Sequence, residues 1–284
     1  MLQKMPQDSP ISTRRHRSSV VAIRPEGGKD PLFLIHGVDG SVARFQTLVR
    51  YLEPDQPVYG IQSQALLGDR IALTRVEDLA AYYLKDVQAV KPHGPYHFVG
   101  FSYGGLVAFE MARQLHSLGE PVGMLGMLDN RRMALSVRRS LRPREDEAGH
   151  RRTPIRSHVP RFLRPTGLGY MREKLRARGL RTIYTMLNTI GRPIPRFLQK
   201  ADEINWFAAV RYSPQWFPGR ITLFQATETL RDQCGSLDEW SAVAGDGAEI
   251  REISGSHEDV LKEPYVQLPA KEITACLAAA HRTK

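Results

Sequence analysis

A buried strand that runs into Gly100-Phe101-Ser102-Tyr103-Gly104 and then into an apolar helix constrains this chain more than any other feature. Tyr96-His97-Phe98-Val99 reads as the strand, and Leu106 to Leu118 carries apolar residues at helical spacing. A G-x-S-x-G pentapeptide between two such elements fits a nucleophile elbow. Its glycines permit a turn too tight for side chains, and Ser102 is left in a strained conformation with its hydroxyl exposed. The helix N-terminus behind it favours negative charge developing there. The bland alternative is a glycine-rich turn whose serine merely caps the helix.

The remaining elements agree with a fold that carries such an elbow. Val20 to Ile23, Pro31 to His36, Pro57 to Ile61, Pro121 to Leu128, Ile221 to Ala226 and Glu249 to Ile253 read as strands. The longer ones are continuous apolar runs, as in strands covered on both faces. Helices are expected at Val42 to Leu52, Val76 to Val90, Leu106 to Leu118 and Val266 to Ala280. Strand and helix alternating with short links mean an α/β fold, with a mostly parallel central sheet and helices on both faces. With the elbow, this is the α/β-hydrolase fold. A chain of 284 residues suits one such domain with an insertion.

The rhythm breaks after Asn130. Residues 131–200 hold six prolines (Pro143, Pro154, Pro160, Pro165, Pro193, Pro195) and no strand-like run, with one helix expected from Leu168 to Ile190. They also hold 19 Lys/Arg against 4 Asp/Glu, a net of +15 in a chain whose total is +10. We therefore expect a disordered basic tail at 1–19 and a hydrolase domain over 20–284, with a basic helical lid inserted at about 131–205. Such a lid would hang over the carboxyl edge of the sheet, where α/β folds bind ligands. A basic segment in an otherwise acidic body suits an anionic partner, or is simply a solvated lid surface.

A serine hydroxyl needs a base to take its proton. The fold expects the order serine, acid, histidine, with the histidine in a loop after the last strand. His257, in Gly255-Ser256-His257-Glu258-Asp259, sits there. His36, His93 and His97 come early in the chain; His36 is expected to shape the loop beneath the site. Asp129, ending the strand after the elbow, is the expected acid that orients the imidazole. Asp232, with Glu228 behind it, is the rival; Glu258 and Asp259 are too close to His257 and are expected to be solvated. The oxyanion needs two amides, one from Tyr103 after the serine and one from Val38 in His36-Gly37-Val38-Asp39-Gly40.

These residues, in order, resemble the thioesterase domains of fatty acid synthases, polyketide synthases and nonribosomal peptide synthetases. Pro31 to Gly37, Pro57 to Gln62, Gly94-Pro95-Tyr96 through Gly105, Ala108 to Ala112, Gly219 to Phe224, Gly255-Ser256-His257 and Glu263-Pro264 carry the resemblance. It implies a serine thioesterase that releases an acyl, polyketide or peptidyl chain from a phosphopantetheine carrier protein, through an acyl-Ser102 intermediate. It also implies that the acid follows the strand after the elbow, which fits Asp129, and that the insertion is a mobile lid. The expected partner is an acyl or peptidyl carrier protein, small and acidic.

No cofactor or metal is called for: the substrate brings its own arm, and Cys234 and Cys276 have no ligand spacing and read as free thiols in a reducing cytoplasm. No apolar stretch is long enough to span a membrane, and no signal peptide is visible. The chain begins at Met1 with a short tail, which fits a free-standing enzyme. Two enzyme alternatives share the fold, a carboxylesterase and an acyltransferase with an alcohol, amine or water acceptor. A non-catalytic binding protein would not need Ser102, His257 and Asp129 together. A nucleic-acid binder would need a recognisable module and more aromatics in the basic segment.

Overall fold

A computed structural model of the protein describes residues 17–67, 73–130, 198–231 and 237–282, with short stretches at 179–180, 182–187, 189–190 and 194–195. Among them, seven strands form one sheet: β1 (Val20–Arg24), β2 (Leu32–Ile35), β3 (Val58–Ile61), β4 (Tyr96–Phe101), β5 (Val122–Leu128), β6 (Ile221–Ala226) and β7 (Ala248–Ile253). Their spatial order is β1-β3-β2-β4-β5-β6-β7. β1 runs antiparallel to β3 at one edge, and every other pair is parallel.

The helices are α1 (Phe45–Tyr51), α2 (Val76–Val90), α3 (Tyr103–Ser117), α4 (Ala201–Arg211), two short ones, α5 (Thr227–Arg231) and α6 (Leu237–Ser241), and α7 (Gln267–Arg282). Successive strand residues point to opposite faces, and the apolar runs split accordingly. Phe33 and Ile35 of β2 join one core with Leu79 and Tyr83 of α2 and Val107 and Met111 of α3. Leu32 and Leu34 join the other, with Phe45 and Leu48 of α1 and Ile273 and Leu277 of α7. Helices therefore cover both faces, as the α/β-hydrolase reading requires, and all four residues of β2 and all six of β4 are buried. This explains why these strands lack polar alternation.

The parallel register aligns the carboxyl ends of four neighbours. Ile35 of β2 pairs with Gly100 of β4, Phe101 with Leu128 of β5, and Leu128 with Phe224 of β6. Ala226, ending β6, pairs with Ile253, ending β7. The loops that follow β2, β4, β5 and β7 thus open at one edge.

Several boundaries differ from expectation, among them α1, which begins at Phe45 and not at Val42. α3 begins at Tyr103, three residues before Leu106, because Gly104 and Gly105 belong to its first turn. A Cβ on Gly104 would stand 2.4 Å from His36 O, and one on Gly100 would stand 2.1 Å from Gly104 O. Those glycines bring helix, strand and the β2 loop into contact. α4 was not anticipated; it buries Ile204, Asn205, Phe207, Ala208 and Ala209, on more than one side, and so lacks a single apolar stripe. Of the helix expected at Leu168 to Ile190, residues 179–180, 182–187 and 189 are helical, and the rest lies outside the described residues or, at Ile190, is a turn. Leu180, Tyr184 and Ile194 form a small core with Ile204 and Phe207 of α4. Most of the basic insertion, the tail before Arg17, Asp232 and Cys234 also lie outside the described residues. No helix among the described residues is long and apolar enough to cross a membrane.

Candidate active site

Ser102 is the single residue between β4 and α3, with φ 52° and ψ −117°, a region that non-glycine residues rarely enter. Such backbone strain costs of order 1–3 kcal/mol and persists only where the surroundings enforce it. Here the enforcement is visible: Ser102 N–H donates to Leu128 O at 2.8 Å, and Gly105 N–H donates to Ser102 O at 3.0 Å. Tyr103 is the first residue of α3, where the leading amides of a helix have no partner within it.

Asp129 follows β5 and also has positive φ, 47°. It is fully buried. Its carboxylate is held on three sides: Oδ1 accepts from Ala226 N–H at 3.0 Å, and Oδ2 accepts from Thr229 Oγ1 at 3.0 Å and from His257 Nδ1 at 2.6 Å. Burial alone would raise its pKa. The hydrogen bonds from His257, Ala226 and Thr229 outweigh burial and hold the carboxyl below its ordinary value. An ionised Asp129 accepts from Nδ1–H, which leaves Nε2 of His257 as the ring's basic nitrogen.

His257 lies in the loop between β7 and α7, and its imidazole stacks on Phe101, with ring centroids 5.0 Å apart and planes at 19°. The Arg44 guanidinium lies 4.8 Å from the same phenyl ring and pairs with Asp39 at 2.6 Å. Phe101, the residue before Ser102, thus packs against the imidazole face.

Ser102, Tyr103, Val38 and His257 line one cavity of about 510 Å³, together with Leu106, Asn130, Glu258 and Asp202, Glu203, Trp206 and Ala209 of α4. Val38 O accepts from Asn205 Nδ2 at 3.0 Å, which ties the loop after β2 to α4. The structure thus brings the expected serine, histidine and two oxyanion residues to one cavity, with Asp129 behind the imidazole.

The other candidates fall elsewhere. His36 is fully buried at the end of β2, its Nδ1 2.6 Å from Gly37 O and its Nε2 2.7 Å from Tyr83 Oη. Burial pushes its pKa down to about 4, against smaller opposing effects of Gly37 and Asp39. It supports the elbow from below, since its carbonyl is what Gly104 approaches. His93 is exposed and pairs with Glu120, and His97 is buried near the amino end of β4, the opposite edge. Glu228 is exposed. Glu258 is exposed at the cavity, and Asp259, 41% exposed at its side chain, also accepts from Ser256 Oγ at 2.6 Å and pairs with Lys262. Thr229, Asn205, Phe101 and α4 were not anticipated. Only the aromatic at position 101 had a local signal, its place inside the elbow.

The family model of the thioesterase domain matches residues 30–269. Among curated relatives, malpibaldin synthetase of Mortierella alpina is 28% identical over 262 residues, which cover 92% of this chain and 4% of that protein. A dimodular nonribosomal peptide synthase of Bacillus subtilis (strain 168) is 40% identical over 111 residues, covering 39% of this chain and 5% of that protein. The chain thus spans a small fraction of the relatives it matches. Among solved structures, the NocB thioesterase domain in covalent complex with a fluorophosphonate nocardicin G analog superposes with a TM-score of 0.63 at 21% identity. That match covers 92% of this chain and all of the other. The surfactin-cyclising thioesterase domain SrfTE superposes at 0.57 with 16% identity, covering 91% of this chain and 95% of the other. At these identities the likeness shows the fold.

Proposed function

This chain belongs to the thioesterase domain family, and from that premise we propose that it releases an acyl or peptidyl chain from a carrier-protein thioester through a covalent intermediate on Ser102. The observation that carries the proposal is the 2.6 Å contact between Asp129 Oδ2 and His257 Nδ1, with His257 and Ser102 lining the same cavity.

In the proposed mechanism, Ser102 Oγ attacks the thioester carbonyl carbon while His257 Nε2 takes the hydroxyl proton. Asp129 keeps Nδ1–H in place and stabilises the imidazolium. The amides of Val38 and Tyr103 receive the oxyanion, helped by the positive end of α3. Collapse of the tetrahedral intermediate breaks the C–S bond, and the departing sulfur takes the proton from His257. Water, or a nucleophile on the acyl chain itself, then attacks the acyl-serine with His257 again as base, giving an acid or a ring. The phosphopantetheine arm arrives with the carrier, so the chain needs no cofactor of its own. The carrier is an acidic partner, and the arginine-rich insertion is its proposed attractor.

Intact-mass measurement after mixing with a panel of acyl-pantetheine thioesters tests this. An acyl adduct on the wild type that is absent from a folded Ser102→Ala protein, which also loses turnover, is the expected result. Turnover near the wild-type rate in Ser102→Ala, or a clear preference for oxygen esters over thioesters, would overturn it.

A further inference from the structure

The amino edge of the sheet, opposite the cavity, carries a second cluster of chemically capable groups. Asp30 lies two residues before β2, His97 is the second residue of β4, and His281 is the penultimate residue of α7. Leu32 pairs with His97 across the sheet, which puts Asp30 beside that ring. One ligand atom from each of the three, two imidazole nitrogens and a carboxylate oxygen, lie within 4.8 Å of one another. His97 is fully buried, and Asp30 and His281 are partly exposed.

The backbone makes room for this arrangement. A Cβ on Gly123 of β5 would stand 2.6 Å from His97 Cε1 and 3.0 Å from Nδ1, so the imidazole occupies space that any other residue would fill. The two imidazoles meet edge to face with centroids 5.2 Å apart. Lys91, at the C-terminus of α2, holds Asp30 Oδ1 at 2.7 Å and fixes how the carboxylate is turned.

We propose that Asp30, His97 and His281 form a binding site for a divalent cation of the zinc class, with water as the fourth ligand. Two imidazoles and one carboxylate match the ligand chemistry of Zn²⁺. A tetrahedral site with bonds of about 2.0–2.2 Å places its ligand atoms roughly 3.4 Å apart, so the three side chains close in by about 1 Å on binding. His281 lies in the last turn of α7, where the helix ends. The cation would tie the end of α7 to β2 and β4. His97 and Phe101 are four residues apart on one face of β4, roughly 13 Å along the strand. The site is thus remote from Ser102, and its effect is on stability.

Equilibrium dialysis and thermal unfolding of the whole chain, stripped with a chelator and then titrated with Zn²⁺, test the proposal. The wild type is expected to bind one Zn²⁺ and to gain several degrees in Tm at saturation, with acyl-pantetheine turnover unchanged. His281→Ala and Asp30→Asn should each weaken binding at least tenfold and lose that gain, whatever their Tm without metal. Lys91→Met should bind Zn²⁺ more tightly, because it removes a cation beside the site. Absence of stoichiometric binding by the wild type overturns the proposal. So does undiminished binding by both ligand variants, or binding that abolishes turnover, which would put the metal on His257 instead.

Discussion

At the scale of single residues, the site works by limiting what each group can do. Asp129 has no room to move and no reason to protonate, because three donors hold its carboxylate. Asp129→Asn keeps the shape but removes the charge and favours the wrong imidazole tautomer, so kcat should fall by roughly 10³–10⁴-fold with the fold intact, as steady-state kinetics and circular dichroism would report. His36 makes a separate prediction about stability. Its folded pKa of about 4 lies below the ordinary histidine value of 6.5. As pH falls from 6.5 towards 4, the unfolded chain takes up a proton that the folded chain refuses, so stability is present above that window and lost within it. Between pH 7.5 and pH 5 the loss is about 2 kcal/mol. Urea unfolding at the two pH values should show a smaller difference in His36→Gln than in the wild type; equal differences would clear His36 of this role. Ser102 and Asp129 were readable as candidates because each directly follows an apolar run, whereas His257, four residues after the charged strand β7, was picked out by its place in the order the fold dictates. Thr229, Asn205 and the phenyl stack were not legible, since contacts between distant side chains leave no local pattern.

At the scale of elements, α3, which follows Ser102, and the cavity helix α4 are joined by a buried carboxylate. Glu110 of α3 accepts from Arg113 Nε and Nη2 at 2.9 and 2.7 Å, from Gln114 at 2.8 Å, and from the hydroxyl of Tyr212, the residue after α4, at 2.9 Å. Glu110 is 1% exposed, so these donors replace the water its carboxylate would otherwise bind. Tyr212→Phe removes one of them without opening a cavity. The expected cost is about 1.5–3 kcal/mol, seen as a Tm lower by several degrees, with Ser102 still reactive towards a fluorophosphonate. An unchanged Tm would mean that the network does not tie the two helices. The central strands β2, β4 and β6 were readable because burial on both faces demands nearly unbroken apolar runs, while the edge strands β1 and β7 are only partly buried. The start of α3 was misjudged because Gly104 and Gly105 look like a turn, whereas close packing on His36 is what requires glycine there. α4 escaped notice because it is buried on several sides and shows no stripe.

At the scale of the whole molecule, charge is segregated. The net of +15 in residues 131–200 belongs to a chain whose other residues sum to a net negative charge. If that segment draws in an acidic carrier, kcat/KM towards a carrier-borne thioester should fall several-fold between about 50 and 300 mM salt. The same constant for a small acyl-pantetheine thioester should stay flat. A flat response for both would assign the arginines to the surface of the insertion alone. The segregation was plain from composition, while the position of those arginines was not, because a proline-rich stretch with few apolar residues gives periodicity little to act on.

The connection that holds these charges leaves the sheet directly after Asn130 and rejoins it at Ile221, yet β5 and β6 are adjacent and bonded to each other, Leu128 opposite Phe224. The sheet closes there without a strand from the intervening residues, although α4 and Tyr212, near the end of that span, are packed into the core. Because β5 and β6 bond to each other directly, the sheet does not set the length of chain between them. A longer or shorter stretch between Asn130 and Gly179 would leave Leu128 opposite Phe224, like an interchangeable mouthpiece on an unaltered instrument.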